Sequence, residues 1–172
     1  MFRKSFFWAG ILLYCMAYPQ YGPGFFAFNI YPVAADGSVK APLERTNAEL
    51  LPVPVKSGGA VYVITGMKSS RRMNAAEILF HAAPDFSSIR ADPSTEIFLY
   101  KLEATKNSRM FSLHPTGRVQ SQQVAVSFQE EDHGSSYKIV LTGTLGPGEY
   151  AFIDKTTSAP GGNVTVFAFG ID

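Results

Sequence analysis

The densest group of residues that could hold a metal ion is the run Glu130-Glu131-Asp132-His133. Three carboxylates and an imidazole could supply ligands to a hard cation such as calcium, which prefers several oxygens. The spacing is not that of an EF-hand loop, and the side chains of adjacent residues diverge. A solvated hairpin tip would have the same composition. The run is therefore a candidate metal site with a structural alternative, and we expect no cofactor.

A second group could bind an anion. Lys68, Arg71 and Arg72 surround two serines directly after a β-branched run at residues 60–65. Cations and hydroxyl groups bind sulfate, phosphate or an acidic glycan through charge-assisted hydrogen bonds. Loops at the ends of a rigid scaffold commonly carry binding residues. These three residues are the candidate ligand site, and an ordinary polar loop is the alternative.

Catalytic signals are sparse. A catalytic zinc ion usually takes three protein ligands, and the three histidines, His81, His114 and His133, have no paired spacing. Hydrolysis by a side-chain nucleophile needs a nucleophile, a base and an orienting acid. Asp85 lies near His81, but no Gly-x-Ser-x-Gly motif occurs. We expect no catalytic residues, and we keep an accessory hydrolase or metal-dependent enzyme of the periplasm as an alternative.

These groups lie on or between predicted strands. Residues 60–65, 96–102, 124–129, 137–142, 150–154 and 164–169 are rich in β-branched and aromatic residues or alternate between apolar and polar. About eight such strands with short turns and no long amphipathic helix predict an all-β sandwich. The core candidates include Val61, Val63, Phe98, Tyr100, Val126, Phe128, Ile139, Leu141, Phe152, Val164 and Val166.

The segment Pro147-Gly148-Glu149-Tyr150 has the pattern of a tyrosine corner. In immunoglobulin-like sandwiches, a tyrosine at such a turn packs at the edge of the core, and its hydroxyl bonds to the backbone a few residues upstream. We therefore predict a structural corner built by Pro147, Gly148 and Tyr150, and an immunoglobulin-like β-sandwich around it.

The N-terminus has the pattern of a signal peptide. Arg3 and Lys4 precede an apolar run over residues 6–17, which is shorter than the roughly twenty residues that span a bilayer. We expect cleavage after Ala17, with Ala35 as the latest alternative, and a periplasmic, outer-surface or secreted protein. An uncleaved run would instead anchor the chain in a membrane.

The remaining boundaries follow from composition. Residues 18–47 are predicted to be irregular, with an edge strand near Phe25–Tyr31 and a linker over residues 40–47, and residues 48–172 to be the β-sandwich domain. The formal net charge is +1 without a basic stripe, which argues against nucleic acid as a partner. Cys15 is the only cysteine, so cleavage would leave no thiol chemistry.

The segment from Pro147 to Phe152, together with Phe167-Ala168-Phe169-Gly170-Ile171-Asp172, resembles uncharacterised exported bacterial proteins with an immunoglobulin-like β-sandwich. The resemblance implies a β-sandwich and export, and no catalytic residues.

The sequence therefore predicts a non-catalytic binding or structural module of the bacterial envelope. Its expected partner is an anionic ligand, a glycan or an envelope protein. Besides the enzyme, the other alternative is a self-assembling surface subunit that pairs through its edge strands.

Overall fold

The structure is a computed structural model that describes residues 28–34, 36–51, 60–74, 79–84, 92–113, 122–134, 136–155 and 162–172. The predicted signal peptide, Ala17 and Ala35 at the two candidate cleavage sites, and Asp85 and His114 lie outside these residues. Within the described ranges, no helix has the length and apolar character needed to cross a membrane.

Antiparallel strands dominate the described chain, which confirms the all-β prediction. In chain order the strands are β1 (Phe28–Val33), β2 (Arg45–Leu51), β3 (Val61–Thr65), β4 (Arg72–Met73), β5 (Leu79–Pro84), β6 (Ile97–Lys101), β7 (Glu103–Ala104), β8 (Ser108–Ser112), β9 (Gln122–Val124), β10 (Val126–Glu131), β11 (Ser136–Leu141), β12 (Gly148–Asp154) and β13 (Val164–Ile171). A four-residue helix, α1 (Pro93–Glu96), precedes β6, and a 3-10 turn at Asp132–Gly134 joins β10 to β11.

Four strands form a small sheet in the order β1-β5-β11-β10. One face of this sheet is apolar, because alternate residues of β1 and β5 are buried and Ile139 of β11 is buried beside them. The fully buried residues on this face are Phe28, Ile30, Phe80, Ala82 and Ile139.

Seven strands of the larger sheet form a closed path. The path β8-β3-β2-β13-β12-β6 is paired throughout, and β7 continues β6 after a single residue, Leu102. Since β7 also pairs with β8, the sheet returns to the strand from which it began. We call these strands the ring. β9 pairs with the edge of β6 opposite β12 and is the terminal strand on that side of the sheet.

The ring is apolar on two sides. Its interior contains Ala48, Tyr62, Ile64, Tyr100, Leu102, Phe111, Ala151, Ile153, Val164, Val166 and Ala168. Its outer face on β6, β12 and β13 packs against the small sheet, where the Phe80 ring lies 4.9 Å from Phe152 and 5.1 Å from Phe169, between centroids. Pairs of this kind contribute roughly 0.5–1.5 kcal/mol beyond buried area. As a result, β13 is buried at every position.

The predicted core positions all lie in strands. Val61, Tyr100, Ile139, Phe152, Val164 and Val166 are buried, whereas Val63, Phe98, Val126, Phe128 and Leu141 are half-buried. Three of the half-buried residues belong to β10 and β11, and β10 is an outer strand of the small sheet. In β3 the interior of the ring is filled by Tyr62 and Ile64, so Val61 and Val63 lie on the opposite face from the one that fills the ring.

The predicted linker over residues 40–47 is wrong at its end, because β2 begins at Arg45. Ala48 is the sole fully buried residue in β2, so this segment lacks the apolar alternation that marks a strand. Pairing with β13 on one side and β3 on the other makes it extended. The predicted domain boundary at residue 48 consequently falls inside a strand.

The predicted edge strand is present in its described part as β1. Its outer edge is covered, because the Lys40 amide donates to the Pro32 carbonyl oxygen at 2.8 Å and the Leu43 amide to the Ile30 carbonyl oxygen at 2.7 Å. Pro32 has no amide hydrogen to donate, which suits an outer strand.

The hydroxyl bond expected of Tyr150 is present at the start of β12. The Tyr150 hydroxyl donates to the Gly146 carbonyl oxygen at 2.8 Å, four residues upstream. Burial raises the pKa of this hydroxyl, which keeps it protonated and able to donate. Gly148 follows the exposed Pro147 and has a φ of +152°, and a Cβ there would lie 3.0 Å from Cε of Lys101. Glycine therefore suits the tight entry into the strand.

Replacing Tyr150 with Phe removes this hydroxyl bond and retains the ring. We expect the free energy of unfolding to fall by about 1 kcal/mol while the fold persists. Urea unfolding measures the change. Tyr31→Phe is the control, because the Tyr31 hydroxyl makes no hydrogen bond with a described residue. Equal stability of the Tyr150 and Tyr31 variants would contradict an energetic role for the corner.

Candidate functional site

The loop predicted to bind an anion lies at one end of the ring. It leaves β3 at Gly66, whose φ is +90°, and returns as β4 parallel to β13. The Gly170 amide donates to the Arg71 carbonyl oxygen at 2.8 Å, and the Ser69 hydroxyl donates to the Ala168 carbonyl oxygen at 3.1 Å. These bonds fix the loop against β13. Its three cations, Lys68, Arg71 and Arg72, lie in different surroundings.

Arg72 is held by three acceptors. Its guanidinium donates to the Glu149 carboxylate, to Oδ1 of Asp172 at 2.5 Å from Nη2, and to the Ile171 carbonyl oxygen at 3.1 Å. The bond to Asp172 makes the largest contribution to raising the pKa of Arg72, and the same bond lowers the pKa of Asp172. Arg72 thus ties the loop to β12 and β13.

Glu149 is the centre of this ionic network and is only 6% exposed. Its Oε2 accepts from the Ser69 amide at 2.8 Å and lies 3.5 Å from Nη1 of Arg109, which is 5% exposed. Arg109 also donates to the carbonyl oxygens of Gly66 and Thr65 at 3.0 and 3.3 Å. Burial lowers the pKa of Arg109, although Glu149 opposes this effect. Removing a buried carboxylate between two guanidinium groups would leave uncompensated charge.

Gly170 allows the network to form, because it lies under the guanidinium of Arg72. A Cβ at this position would overlap that guanidinium and lie 2.8 Å from Oε1 of Glu149. The side chain of Arg72 cannot swing away without losing its bonds to Asp172 and Glu149. The requirement for glycine here comes from space, and the residue need not adopt a positive φ.

A cleft of about 510 Å³ opens beside this network, and we call it the basic cleft. It is lined by Pro32, Val33, Ala34, Lys40, Arg71, Arg72, Met73, Asn74 and Asp172. The side chains of Lys40 and Arg71 make no ion pair with a described residue, although Lys40 contributes to the lowered pKa of the exposed Asp36 carboxyl group. Asp172 is already engaged by Arg72. The cleft therefore presents two cations that are available to a ligand.

Lys68 lines a different cleft. This second opening, of about 730 Å³, lies between β2 and β3, and we call it the β2–β3 cleft. Lys68 is nevertheless close enough to Asp172 to contribute to the lowered pKa of that carboxyl group. The structure thus divides the predicted ligand site: Arg71 and Arg72 reach one cleft and Lys68 reaches the other.

The acidic run forms a hairpin tip. Glu130 and Glu131 end β10, and Asp132 and His133 follow with φ of +50° and +56°. Asp132 accepts a bond from the Ser136 hydroxyl at 3.3 Å, which stabilises the turn. Among the described residues, no group of three or more His, Cys, Asp or Glu side chains is arranged to hold a metal ion.

The hairpin tip does meet one predicted histidine. Nδ1 of His81 lies 3.0 Å from Oε2 of Glu131 across the exposed face of the small sheet. An imidazole and a carboxylate are two parts of a hydrolytic triad. Neither residue lines the basic cleft or the β2–β3 cleft.

Four residues at the site were not predicted from sequence. The sequence marks Glu149 only as part of the corner, although its alternation with Tyr150 places it on the opposite, inner face of β12. Lys40 belongs to the predicted linker. Arg109 and Asp172 carry no local signal because their partners are more than 35 residues distant in sequence. Their roles depend on how the ring closes.

Comparison with known proteins places no relative beside this chain: no family model, no curated protein and no solved structure matches it. The site must therefore be interpreted from its own geometry.

Gly170→Ala tests the ionic network. The added methyl group should displace Arg72 and lower the free energy of unfolding by about 1–3 kcal/mol, as overpacking typically does. Gly143→Ala is the matched control, because a Cβ at Gly143 meets nothing within 4 Å. Urea unfolding of both variants gives the comparison.

The same substitution in an Arg72→Ala background completes a double-mutant cycle. With the guanidinium absent, the additional cost of Gly170→Ala should fall to less than half. Full additivity of the two substitutions would show that Gly170 is required for another reason.

Proposed function

We propose that this protein is a non-catalytic, exported module of the bacterial envelope that binds an anionic ligand in the basic cleft. One observation carries the proposal. Lys40 and Arg71 come from distant parts of the chain and line the same cleft, and neither lies within ion-pair distance of a carboxylate among the described residues.

The ligand class follows from the chemistry of this cleft. Arg71 can donate two parallel hydrogen bonds to sulfate, phosphate or carboxylate, and Lys40 adds a compact charge. Pro32, Val33 and Met73 supply an apolar wall for the carbon framework of the ligand. A volume of about 510 Å³ falls in the range of small-molecule sites. An acidic sugar or another small organic anion fits this description.

The ionic network supports a binding role. Because Arg72 is bound to Asp172 and Glu149, it shapes the floor of the cleft without attracting the ligand as a free cation. The backbone bond between Gly170 and Arg71 keeps Arg71 in place before the ligand arrives. Preorganised groups lose less entropy on binding.

The finer fold assignment in this proposal is a β-sandwich related to immunoglobulin-like domains. The Tyr150–Gly146 bond and the packing of the small sheet on the ring support it. The closed path of strands differs from the two open sheets of seven strands in such domains.

The alternatives have weaker support. A hydrolase would use the His81–Glu131 pair, but this pair lies on an exposed sheet face away from both clefts. A self-assembling subunit would use β10, which pairs only with β11 among the described strands. That strand ends in Glu130 and Glu131, and charges at an outer strand oppose edge-to-edge pairing.

Binding is tested with a sulfated oligosaccharide and with inorganic phosphate, by calorimetry at low and physiological salt. The double reversal Lys40→Glu and Arg71→Glu should weaken binding at least about tenfold, because two attractive charges become repulsive. Lys106→Glu is the control, since Lys106 is an exposed cation that lines neither cleft. Equal binding by all three proteins would exclude the basic cleft.

Export is tested separately by the N-terminal residue and the cell fraction of the protein in a bacterial host. We expect a start at Tyr18 or Asp36 outside the cytoplasm, as the cleavage signals predict. An intact Met1 in the cytosol would contradict export and leave the binding proposal standing.

A further inference from the structure

Asp172 occupies the edge of Arg72 that a bound anion would use. Nε and Nη2 form the side of a guanidinium group that donates two parallel hydrogen bonds to a carboxylate or a phosphate. In this chain both atoms donate to one oxygen, Oδ1 of Asp172, at 3.1 and 2.5 Å. The other oxygen, Oδ2, has no hydrogen-bond partner among the described residues. The pair therefore lacks the two-oxygen geometry in which this edge of arginine binds most strongly.

The Asp172 carboxylate can leave without disturbing the other contacts of Arg72. Its side chain is 71% exposed, so water screens its attraction to Arg72. Glu149 holds Nη1 from the buried side, and the Ile171 carbonyl oxygen accepts from Nη2 at 3.1 Å. Rotation of the Asp172 side chain would therefore leave the guanidinium in place. Asp172 and Arg72 both line the basic cleft, so a ligand there can reach the position that the carboxylate vacates.

The charges around Asp172 favour an anion with more charge than a carboxylate. The hydrogen bond from Arg72 lowers the pKa of the Asp172 carboxyl group, and the charges of Arg72 and Lys68 add to this effect. Lys40 and Arg71 line the same cleft. A group with two negative charges interacts about twice as strongly with these cations as a carboxylate does. A phosphate monoester carries close to two charges at neutral pH and has three acceptor oxygens, whereas a phosphodiester carries one charge.

We propose that the basic cleft binds the phosphate group of a small organic phosphate monoester, which displaces the Asp172 carboxylate from Arg72 and is then held by Arg72, Arg71 and Lys40. Asp172 acts as a competing anion inside the site. Arg72 is not a free cation while Asp172 is bound to it, and it becomes a ligand-binding group only after this exchange. The inference rests on the anion-binding function proposed above and narrows its ligand class.

Calorimetry on the folded chain at about pH 7.5 compares methyl phosphate, which carries close to two charges, with dimethyl phosphate, which carries one. Methyl phosphate should bind at least about tenfold more tightly, because its larger charge meets Arg72, Arg71 and Lys40 together. Equal affinity for the two compounds would overturn the ligand class and leave general anion binding standing.

Asp172→Asn tests the competition. The variant keeps the shape of the side chain and removes its charge, so it should bind methyl phosphate at least about fivefold more tightly than the original chain. Asp92→Asn is the matched control, because Asp92 is an exposed carboxylate that lines neither cleft. Unchanged affinity in the Asp172 variant would overturn the competition, whereas absence of binding by every protein would overturn the anion-binding function as well.

NMR of the Arg72 side chain distinguishes displacement from simple repulsion. In the free proteins, the Nε–H resonance should differ between the original chain and the Asp172→Asn variant, because the acceptor of this group differs. Saturation with methyl phosphate should bring the two resonances together, since phosphate is then the acceptor in both proteins. Resonances that stay apart would show that Asp172 remains on Arg72 and would overturn the proposal.

Discussion

The burial of β13 on both faces is the constraint on which the fold depends. Its even-numbered residues fill the interior of the ring, and its odd-numbered residues pack under the small sheet. Both apolar clusters therefore share β13, and the neighbouring strand β12 also contributes residues to both clusters. Because Phe167 and Phe169 are fully buried, neither layer can be removed without exposing aromatic surface. The two sheets are consequently parts of one cooperative unit, and they cannot be treated as separable domains.

The ionic network of Glu149, Arg72 and Arg109 lies at one open end of the ring. A ring of strands has open ends, and at one end the apolar filling gives way to Glu149, Arg72 and Arg109. A buried charge needs partners, and here each of the three groups has at least one of the others as a partner. Glu149 directly precedes Tyr150, so the corner that fixes the outer face of β12 also positions the charge on its inner face. Packing and electrostatics are thus coupled through two adjacent residues.

Much of this architecture could be predicted from local patterns. Strands such as β11, β12 and β13 alternate or are continuously apolar, and the Tyr150 corner depends on a turn four residues away. The ring could not be predicted, because its closure depends on the single residue Leu102 between β6 and β7 and on pairing of β2 that no apolar pattern marks. For the same reason, only part of the site could be predicted. Arg71 and Arg72 are neighbours in sequence, whereas folding brings Lys40 and Asp172 to them from distant parts of the chain.

The position of β13 in the chain has a consequence for biogenesis. This strand follows every other strand in sequence but pairs with β12, with β2 near the start of the domain, and with β4. Until it has been synthesised, the strands made earlier have no central partner and both apolar clusters lack an essential wall. Such long-range pairing slows folding, because chain entropy must be lost before the contacts form. The strands that precede β13 therefore expose their apolar faces to water until β13 joins them.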